Sequence, residues 1–272
     1  HTDEVALLNG TPNHFRGIPV EPETLPEDPD RFAGDLEESI SRWRREAVRV
    51  VWLRIPIAQS ALVPSAVSAG FVYHHATPEW LQLTLTLQAG SYVPPFATHY
   101  IGAGGVVLDA DRNLLVIQER HHTRPHLKLP GGALHEGEHI ADAVIREVKE
   151  ETGIDTRYIS LVCFRHWHGY RHGKSDIYFV SRLEPLNHQI NLDPSEIAEC
   201  RWMPVDDYLA HEHTHQFNRR IVEAALEGER GEGELRLQEL PGYGTPETHE
   251  IFMPGASITP ERGRYLWQSE HR

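Results

Sequence analysis

The sequence predicts an α/β (α+β) protein in which a mixed sheet lies between helices, with a smaller α/β domain at the N-terminus. Three observations predict this class. Residues 140–152 place apolar side chains at i, i+3, i+4 and i+7, which is typical of an amphipathic helix. Residues 80–87 alternate apolar and polar side chains, which is typical of a half-buried strand. Between them, residues 88–98 contain glycine and prolines, which indicates a linker between two domains.

The N-terminal part of the chain is predicted to form the smaller domain. Residues 1–30 are rich in Pro, Glu and Asp without periodicity, which indicates a loosely packed lead-in, and residues 31–95 are assigned to the domain itself. Asp35 is the candidate N-cap of its first helix. The elements expected here are helices at 37–49 and 59–69 and strands at 48–55, 71–75 and 80–87. We find no glycine-rich phosphate loop and no nucleophile–base pair in this part of the sequence. We therefore interpret it as a packing or dimerisation module, and expect a homodimer to form through it.

Residues 96–228 are assigned to the larger domain and residues 229–272 to a C-terminal extension. The larger domain is expected to contain strands at 102–108, 114–120, 158–164, 176–182 and 199–203 and helices at 140–152 and 217–226. Gly153 directly follows the helix at 140–152, where glycine commonly takes the left-handed conformation that ends a helix. The strand at 114–120 is expected to pair with the strand at 102–108 across a short turn. In the extension, only a strand at 234–240 is expected.

The composition excludes several classes of function. The 272 residues include 26 Lys and Arg against 40 Asp and Glu, a formal net charge of −14, which argues against a protein that binds nucleic acid or a membrane surface. No apolar run approaches the roughly 18 residues of a membrane-spanning helix. The two cysteines, Cys163 and Cys200, have no metal-binding spacing, which suits a reducing compartment. We therefore expect a cytoplasmic protein whose partner is a small molecule.

Three carboxylates dominate one face of the helix at 140–152. Glu147, Glu150 and Glu151 follow the spacing i, i+3 and i+4, and we call them the acidic face. Like charges at these spacings destabilise an isolated helix by a few tenths of a kcal/mol per pair. A hard divalent cation would neutralise them, because Mg²⁺ and Mn²⁺ prefer oxygen ligands. The alternative is an acidic helix face that is only solvated.

The acidic face belongs to a longer pattern. Gly132, Glu138 and Arg146 together with residues 147–154 fill every fixed position of G-x5-E-x7-R-E-U-x-E-E-x-G-U, in which U is aliphatic. The chain therefore resembles the Nudix hydrolase family and its fold. The resemblance implies that the three glutamates of the acidic face bind Mg²⁺ or Mn²⁺ with help from the carbonyl of Gly132. It also implies that Glu138 and Arg146 form a structural pair that holds the loop against the helix.

Segments outside this pattern narrow the resemblance to one subfamily. Residues 52–57, 70–76 and 173–179 resemble the subfamily that contains plant cytosolic ADP-ribose and NADH pyrophosphatases and a human relative encoded antisense to a fibroblast growth factor. Leu127 departs from it, since many relatives have a tryptophan there. The resemblance implies hydrolysis of the pyrophosphate bond in a nucleoside diphosphate linked to another moiety, giving two phosphate monoesters. The alternatives are a Nudix-like module that binds a nucleotide metabolite without hydrolysing it, and a biosynthetic enzyme for an unusual pyrophosphate.

The candidate catalytic residues follow from this reaction. Divalent ions bound to the acidic face would bridge phosphates and lower the pKa of a bound water. Glu147 and Glu150 are candidate catalytic residues within the acidic face. The general base is one of the face's glutamates or a carboxylate from the loop before the strand at 199–203. We favour Glu196 over Glu199 in that loop, and the alternative for Glu196 is a solvated carboxylate.

Candidate substrate ligands flank the motif. Arg120, Lys128, Arg165 and Lys174 are candidate phosphate ligands, since each cation can pair with a phosphate oxygen. The alternative for each of them is a solvated surface charge. Trp167 or Tyr170 is a candidate for stacking on a nucleobase, with packing inside the domain as the alternative.

Overall fold

The structure is a computed structural model that describes residues 6–122, 126–230, 233, 235–238 and 251–254. The chain divides into two compact units, residues 1–98 and residues 99–272. The first unit contains β1 (Gly17–Pro19), α1 (Pro29–Arg45), β2 (Val50–Pro56), α2 (Val63–Ser68), β3 (Val72–Ala76) and β4 (Trp80–Thr86), with 3-10 helices at Pro22–Thr24 and Ile57–Leu62. The second unit contains β5 (His99–Val107), β6 (Asn113–Glu119), β7 (Gly131–Ala133), α3 (Ile140–Thr152), β8 (Thr156–Trp167), β9 (Ser175–Pro185), β10 (Ile197–Pro204), α4 (Val205–Ala210), α5 (Gln216–Glu229), β11 (Leu235–Gln238) and β12 (Ile251–Pro254), with a 3-10 helix at Arg171–Gly173.

The first unit is a four-stranded sheet in the order β1-β2-β4-β3, with α1 and α2 contributing to its core. Strands β1 and β2 are parallel, and the other pairs are antiparallel. Helix α1 buries Phe32, Leu36 and Trp43 in a core that also contains Leu53 and Leu83 of the central strands. Strand β3 is left at the edge of the sheet.

Two expectations for this unit are wrong. Helix α1 begins at Pro29 rather than near residue 37, because Asp28 is its N-cap and accepts a hydrogen bond from the Arg31 N–H at 2.8 Å. Asp35 lies inside the helix, where its buried carboxylate accepts a bond from the Ala6 N–H. The described part of the lead-in is not loosely packed, since Ile18 of β1 is 1% exposed and lies in the core.

The second unit confirms the predicted class of mixed sheet between helices. Its six-stranded sheet has the order β12-β11-β8-β9-β5-β7, and only β5 and β9 pair in parallel. Neighbouring residues of β5 face opposite cores: Val106 lies in one core with α4 and α5, and Val107 lies in another with α3. The hairpin expected between β5 and β6 does not form. Strand β6 pairs with β10 in a separate two-stranded sheet and joins β5 only through the bridge between Leu108 and Leu114.

Helix α3 presents its acidic face at the sheet edge. The helix buries Ala141, Val144 and Val148 against β5, as the apolar spacing predicts. It ends at Gly153, which takes φ +77 as its left-handed C-cap residue. The carboxylates of the opposite side are thereby fixed close to β7, the short edge strand. Among the described residues, no helix has the length and apolar character needed to cross a membrane.

Candidate active site

Strand β7 joins the acidic face to the sheet through two glycines. The buried carboxylate of Glu151 accepts a hydrogen bond from the backbone N–H of Gly131 at 2.8 Å. A Cβ atom on Gly132 would lie 2.6 Å from the carboxylate carbon and both oxygens of Glu147. Only glycine therefore allows the Glu147 carboxylate to lie against this strand. This close approach explains why the first position of the motif is a glycine.

Arg146 organises the rest of the motif. Its guanidinium donates two bonds to Glu138, at 2.7 and 2.9 Å, and also bonds Glu147 at 2.8 Å and Glu150 at 2.9 Å. It donates a further bond to the Ala133 carbonyl at 3.1 Å. The Glu138–Arg146 pair expected from the sequence is therefore present. Its extension to Glu147 and Glu150 was not expected, and it makes this guanidinium the shared counter-ion of two acidic-face carboxylates.

The carboxylates around Arg146 and Gly131 have different electrostatic environments. Burial opposes ionisation of Glu138, but the bonds from Arg146 and from the His135 N–H outweigh it and hold its pKa below the ordinary value. Burial raises the pKa of Glu147, and Arg146 opposes that rise. Burial raises the pKa of Glu151 to about 7, although Lys128 and the Gly131 N–H act in the opposite direction. Glu150 is the most open of the four, with 58% of its side chain exposed.

The donor set of the acidic face fits a hard divalent cation in its chemistry. All of its side-chain donors are carboxylate oxygens, and Glu147 lies against Gly132, whose carbonyl is the backbone donor implied by the resemblance. No group of three His, Cys, Asp or Glu side chains in the described residues is arranged as a metal-binding cluster, however. Arg146 instead occupies the position of counter-ion to Glu147 and Glu150. Metal binding by these residues stays a prediction.

A cavity of about 440 Å³ opens beside Gly131 and Gly132. Of the residues expected to bind substrate, it brings together Lys128, Arg165 and Trp167. The structure does not place Arg120, Lys174 or Glu196 among the lining residues. Arg120 donates to the Pro194 carbonyl at 2.6 Å, and Glu196 is exposed, with its backbone carbonyl accepting from the Arg120 N–H.

The far wall of the cavity is aromatic and cationic. The ring of Trp167, 47% exposed, lies 5.1 Å from that of Tyr170, and Tyr170 lies 5.7 Å from Tyr100. The Arg165 guanidinium lies 5.3 Å from the Trp167 ring centroid and forms an ion pair with Asp176, which is 7% exposed. Sequence reasoning missed Tyr100 and Asp176, because the pairing of β5, β8 and β9 brings them here from separate segments.

Tyr178 lies between the two ends of the cavity. It belongs to β9, is half-buried and lines the cavity. Burial raises the pKa of its hydroxyl, and the nearby carboxylates of Glu151 and Glu147 raise it further. The hydroxyl therefore stays protonated at neutral pH and is available as a hydrogen-bond donor.

The chain is similar in sequence to known proteins of one family. The family model for the Nudix hydrolase domain matches residues 8–87, and that for the NUDIX domain matches residues 98–225. The chain is 39% identical to Nudix hydrolase 8 of Arabidopsis thaliana over 212 residues, which is 76% of this chain and 57% of that protein. It is 36% identical to Nucleoside diphosphate-linked moiety X motif 6 of Homo sapiens over 257 residues, 90% of this chain and 81% of that protein. It also resembles a solved NUDIX hydrolase from Nitrosomonas europaea, with a TM-score of 0.41 and 25% identity over 47% of this chain and 89% of that one.

The matches to the family models and to the human protein extend over both compact units. The two family models together span most of the chain, and the human relative is matched over 90% of it. The motif that carries the resemblance is complete, and its first glycine, Gly132, lines the cavity. This chain belongs to the Nudix hydrolase family and is a Nudix-type pyrophosphohydrolase.

Proposed function

We propose that this enzyme hydrolyses the pyrophosphate bond of a nucleoside diphosphate linked to another moiety, such as ADP-ribose or NADH, giving two phosphate monoesters. The observation that carries the proposal is that one cavity is lined by two different kinds of group. Gly131 and the motif residue Gly132 line one part of the cavity, and the carboxylates of Glu151 and Glu147 lie against these two glycines without lining the cavity themselves. Another part is lined by the aromatic wall and Arg165. A volume of about 440 Å³ is in the range typical of small-molecule sites.

These two parts of the lining suit the nucleobase and the phosphate chain of such a substrate. A nucleobase has a flat face that stacks on aromatic rings, and Trp167 is exposed enough to offer one. Lys128 and Arg165 also line the cavity, where they are paired with Glu119 and Asp176, and we propose that these two cations bind the phosphate chain. Arg120 and Lys174 lie outside the lining, so a role for them requires a ligand that extends beyond the cavity. The human relative is named for a nucleoside diphosphate-linked moiety, which supports the same substrate class for this chain.

We propose that Glu147, Glu150, Glu151 and the Gly132 carbonyl hold Mg²⁺ or Mn²⁺. Three carboxylates, those of Glu138, Glu147 and Glu150, bond the single guanidinium of Arg146, so the group keeps a surplus of two negative charges when all of them are ionised. Such a surplus of negative charge attracts a divalent cation. The bound metal would supply charge neutralisation at the diphosphate and a water of lowered pKa.

The chain's own residues perform the remaining steps. Arg146 orients Glu147 and Glu150 while it anchors to Glu138, and the Gly131 N–H fixes Glu151. We propose Glu196 as the general base that accepts the proton of the attacking water, with a glutamate of the acidic face as the alternative. Glu196 is exposed in the loop before β10, and Arg120 binds its backbone carbonyl, so its side chain is free to turn.

The test is a panel of ADP-ribose, NADH and related diphosphates, assayed for phosphate monoesters with and without Mg²⁺ or Mn²⁺. Glu150→Gln should reduce turnover by at least about a hundredfold, because it removes a metal ligand charge. The fold should persist, since the Glu150 side chain is 58% exposed and among the described residues bonds Arg146, which keeps its bonds to Glu138 in the variant. Glu223→Gln is the matched control, because Glu223 is an exposed helical glutamate of α5 paired with Arg220. Unchanged turnover in Glu150→Gln would refute the metal assignment. Ligand binding without metal-dependent hydrolysis of any compound would favour a binding module.

We also propose a homodimer formed through the first unit, in the cytoplasm. Strand β3 is an edge strand, and Val72 and Tyr73 on it are 63% and 65% exposed. Exposed edge strands with apolar side chains readily pair with another strand. Both cysteines are free thiols, which suits a reducing compartment. The molar mass in solution, measured by light scattering, checks the dimer.

A further inference from the structure

Three glycines on two strands make room for the side chain of Tyr178. Cβ atoms built on Gly102, Gly104 and Gly131 would lie 2.7, 2.2 and 2.6 Å from atoms of this tyrosine. Contacts this short do not occur in folded proteins, so a larger residue at Gly102 or Gly104 would displace the ring. A larger residue at Gly131 would meet the backbone of β5 at Ala103 and Gly104 as well as the Tyr178 hydroxyl. Gly102 faces Tyr178 in the parallel pairing of β5 with β9, and Gly104 pairs with Gly131 of β7. The ring therefore lies across β5, and its hydroxyl reaches β7.

The hydroxyl end is the part that reaches the active site. The Tyr178 Oη atom is the nearest atom to a Cβ built on Gly104, and it also lies 2.6 Å from a Cβ built on Gly131. Glu151 binds the N–H of that same Gly131, and Glu147 lies against the next residue, Gly132. Packing alone explains the ring, since phenylalanine would fill the same glycine groove. It does not explain a hydroxyl that lies beside Gly131, the cavity-lining residue whose N–H binds Glu151.

We propose that Tyr178 is a catalytic residue whose hydroxyl donates a hydrogen bond to a phosphate oxygen of the bound diphosphate. This inference rests on the proposed function and adds to it a residue outside the Nudix motif. The carboxylates of Glu151 and Glu147 lie against the two glycines beside this hydroxyl, so a neutral donor here offers phosphate oxygens a partner without adding charge. Such a donor stabilises the negative charge that develops on these oxygens during hydrolysis. No proton is transferred in this role, and the hydroxyl keeps its hydrogen throughout.

Tyr178→Phe tests the proposal, because it removes the hydroxyl and keeps the ring. We expect kcat/KM to fall about 10- to 100-fold, which is the usual effect of losing one hydrogen bond to a charged group. The thermal unfolding midpoint should stay close to that of the wild type. Tyr158→Phe is the matched control: Tyr158 is a buried tyrosine of the neighbouring strand β8, its hydroxyl lies 3.4 Å from Ser181 Oγ, and it does not line the cavity. Its kcat/KM should stay within twofold of the wild type.

A binding measurement separates this proposal from the proposed function. Calorimetry with the methylene-bridged, non-hydrolysable analogue of ADP-ribose and Mg²⁺ should show several-fold weaker binding to Tyr178→Phe. If the wild type hydrolyses a substrate and Tyr178→Phe has the same kcat/KM for it, the proposed role of the tyrosine is overturned and the proposed function stands. If the wild type binds the analogue but hydrolyses nothing, weaker binding by the variant supports the contact while the proposed function fails. Equal binding, or no binding by the wild type, would overturn the contact.

Discussion

Replacing Arg146 with alanine should destabilise the second unit far more than loss of an ordinary surface arginine. The guanidinium makes two bonds to Glu138, one to Glu147 and one to Glu150, all between 2.7 and 2.9 Å. Its side chain is 21% exposed, that of Glu138 is 11% exposed and that of Glu147 is 14% exposed. The alanine variant leaves these two carboxylates half-buried, close together and without a cation.

The size of the effect follows from this partial burial. Removing one partner of a fully buried ion pair costs about 3–5 kcal/mol, whereas an exposed pair contributes at most about 1 kcal/mol. Arg146 and Glu138 lie between these limits and nearer the buried one, so we expect the free energy of unfolding to fall by about 2–4 kcal/mol at pH 7 without metal. Arg146 holds the folded pKa of Glu138 below its ordinary value of 4.5. A depressed folded pKa contributes stability above the unfolded pKa and loses it as pH falls, so the difference between variant and wild type should shrink below pH 4.5.

Urea unfolding followed by circular dichroism at pH 7 and at pH 3.5 measures both effects. Arg220→Ala is the control, because Arg220 also pairs with two glutamates of its own helix, Glu223 and Glu227, but all three side chains are largely exposed. We expect no measurable loss in that variant. If Arg146→Ala loses no more stability than Arg220→Ala, or if its loss persists unchanged at pH 3.5, then Arg146 is not the counter-ion that holds this site together.

Two further predictions concern stability. Gly137 and Gly153 both have φ +77, but a Cβ on Gly137 meets nothing within 4 Å while one on Gly153 would lie 2.8 Å from the backbone of Asn191. Gly137→Ala should therefore cost only the left-handed strain of about 1–2 kcal/mol. Gly153→Ala should cost about 1–3 kcal/mol more because of the clash, and equal losses in the two variants would contradict this. Burial raises the folded pKa of Glu151 from 4.5 to about 7, so the folded protein binds the extra proton and metal-free stability should fall as pH rises between these values. Glu151→Gln should abolish that fall in urea titrations with chelator, and an unchanged pH profile would show that burial of the Glu151 carboxylate is not its cause.

The sequence predicted elements whose signals are local. Helix α3 was expected at 140–152 and is observed at Ile140–Thr152, because its apolar spacing and its C-terminal glycine both lie within one segment. The predicted start of helix α1 was too late in the sequence, because Asp28 and Asp35 are both acceptable N-caps and only Asp28 is followed by a proline, Pro29. The pairing of β6 with β10 could not be read from either strand alone. It joins segments about 80 residues apart, and a neighbouring-strand hairpin is the simpler expectation.

The candidate site likewise contains residues that the sequence alone could identify and residues that only the fold brings together. The acidic face, Gly132 and the Glu138–Arg146 pair come from one motif with fixed spacing, so their roles could be inferred without coordinates. The cavity wall could not, because Tyr100 and Asp176 meet only through the parallel pairing of β5 with β9. Arg120 and Lys174 were chosen for their closeness to the motif in sequence, and the fold places them outside the cavity lining.

The glycines beside the motif show why the two kinds of information must be combined. Gly132 belongs to the motif, and the carboxylate of Glu147 lying against it accounts for that requirement. Gly131 is outside the fixed positions, yet it has two roles: its N–H binds Glu151, and its missing side chain leaves room for the hydroxyl of Tyr178. A larger residue at Gly131 would disturb the acidic face and the cavity together, because both meet at this single backbone position. Gly131 therefore connects the carboxylates to the cavity, and Tyr178 and Glu147 each lie where a glycine leaves room for the side chain.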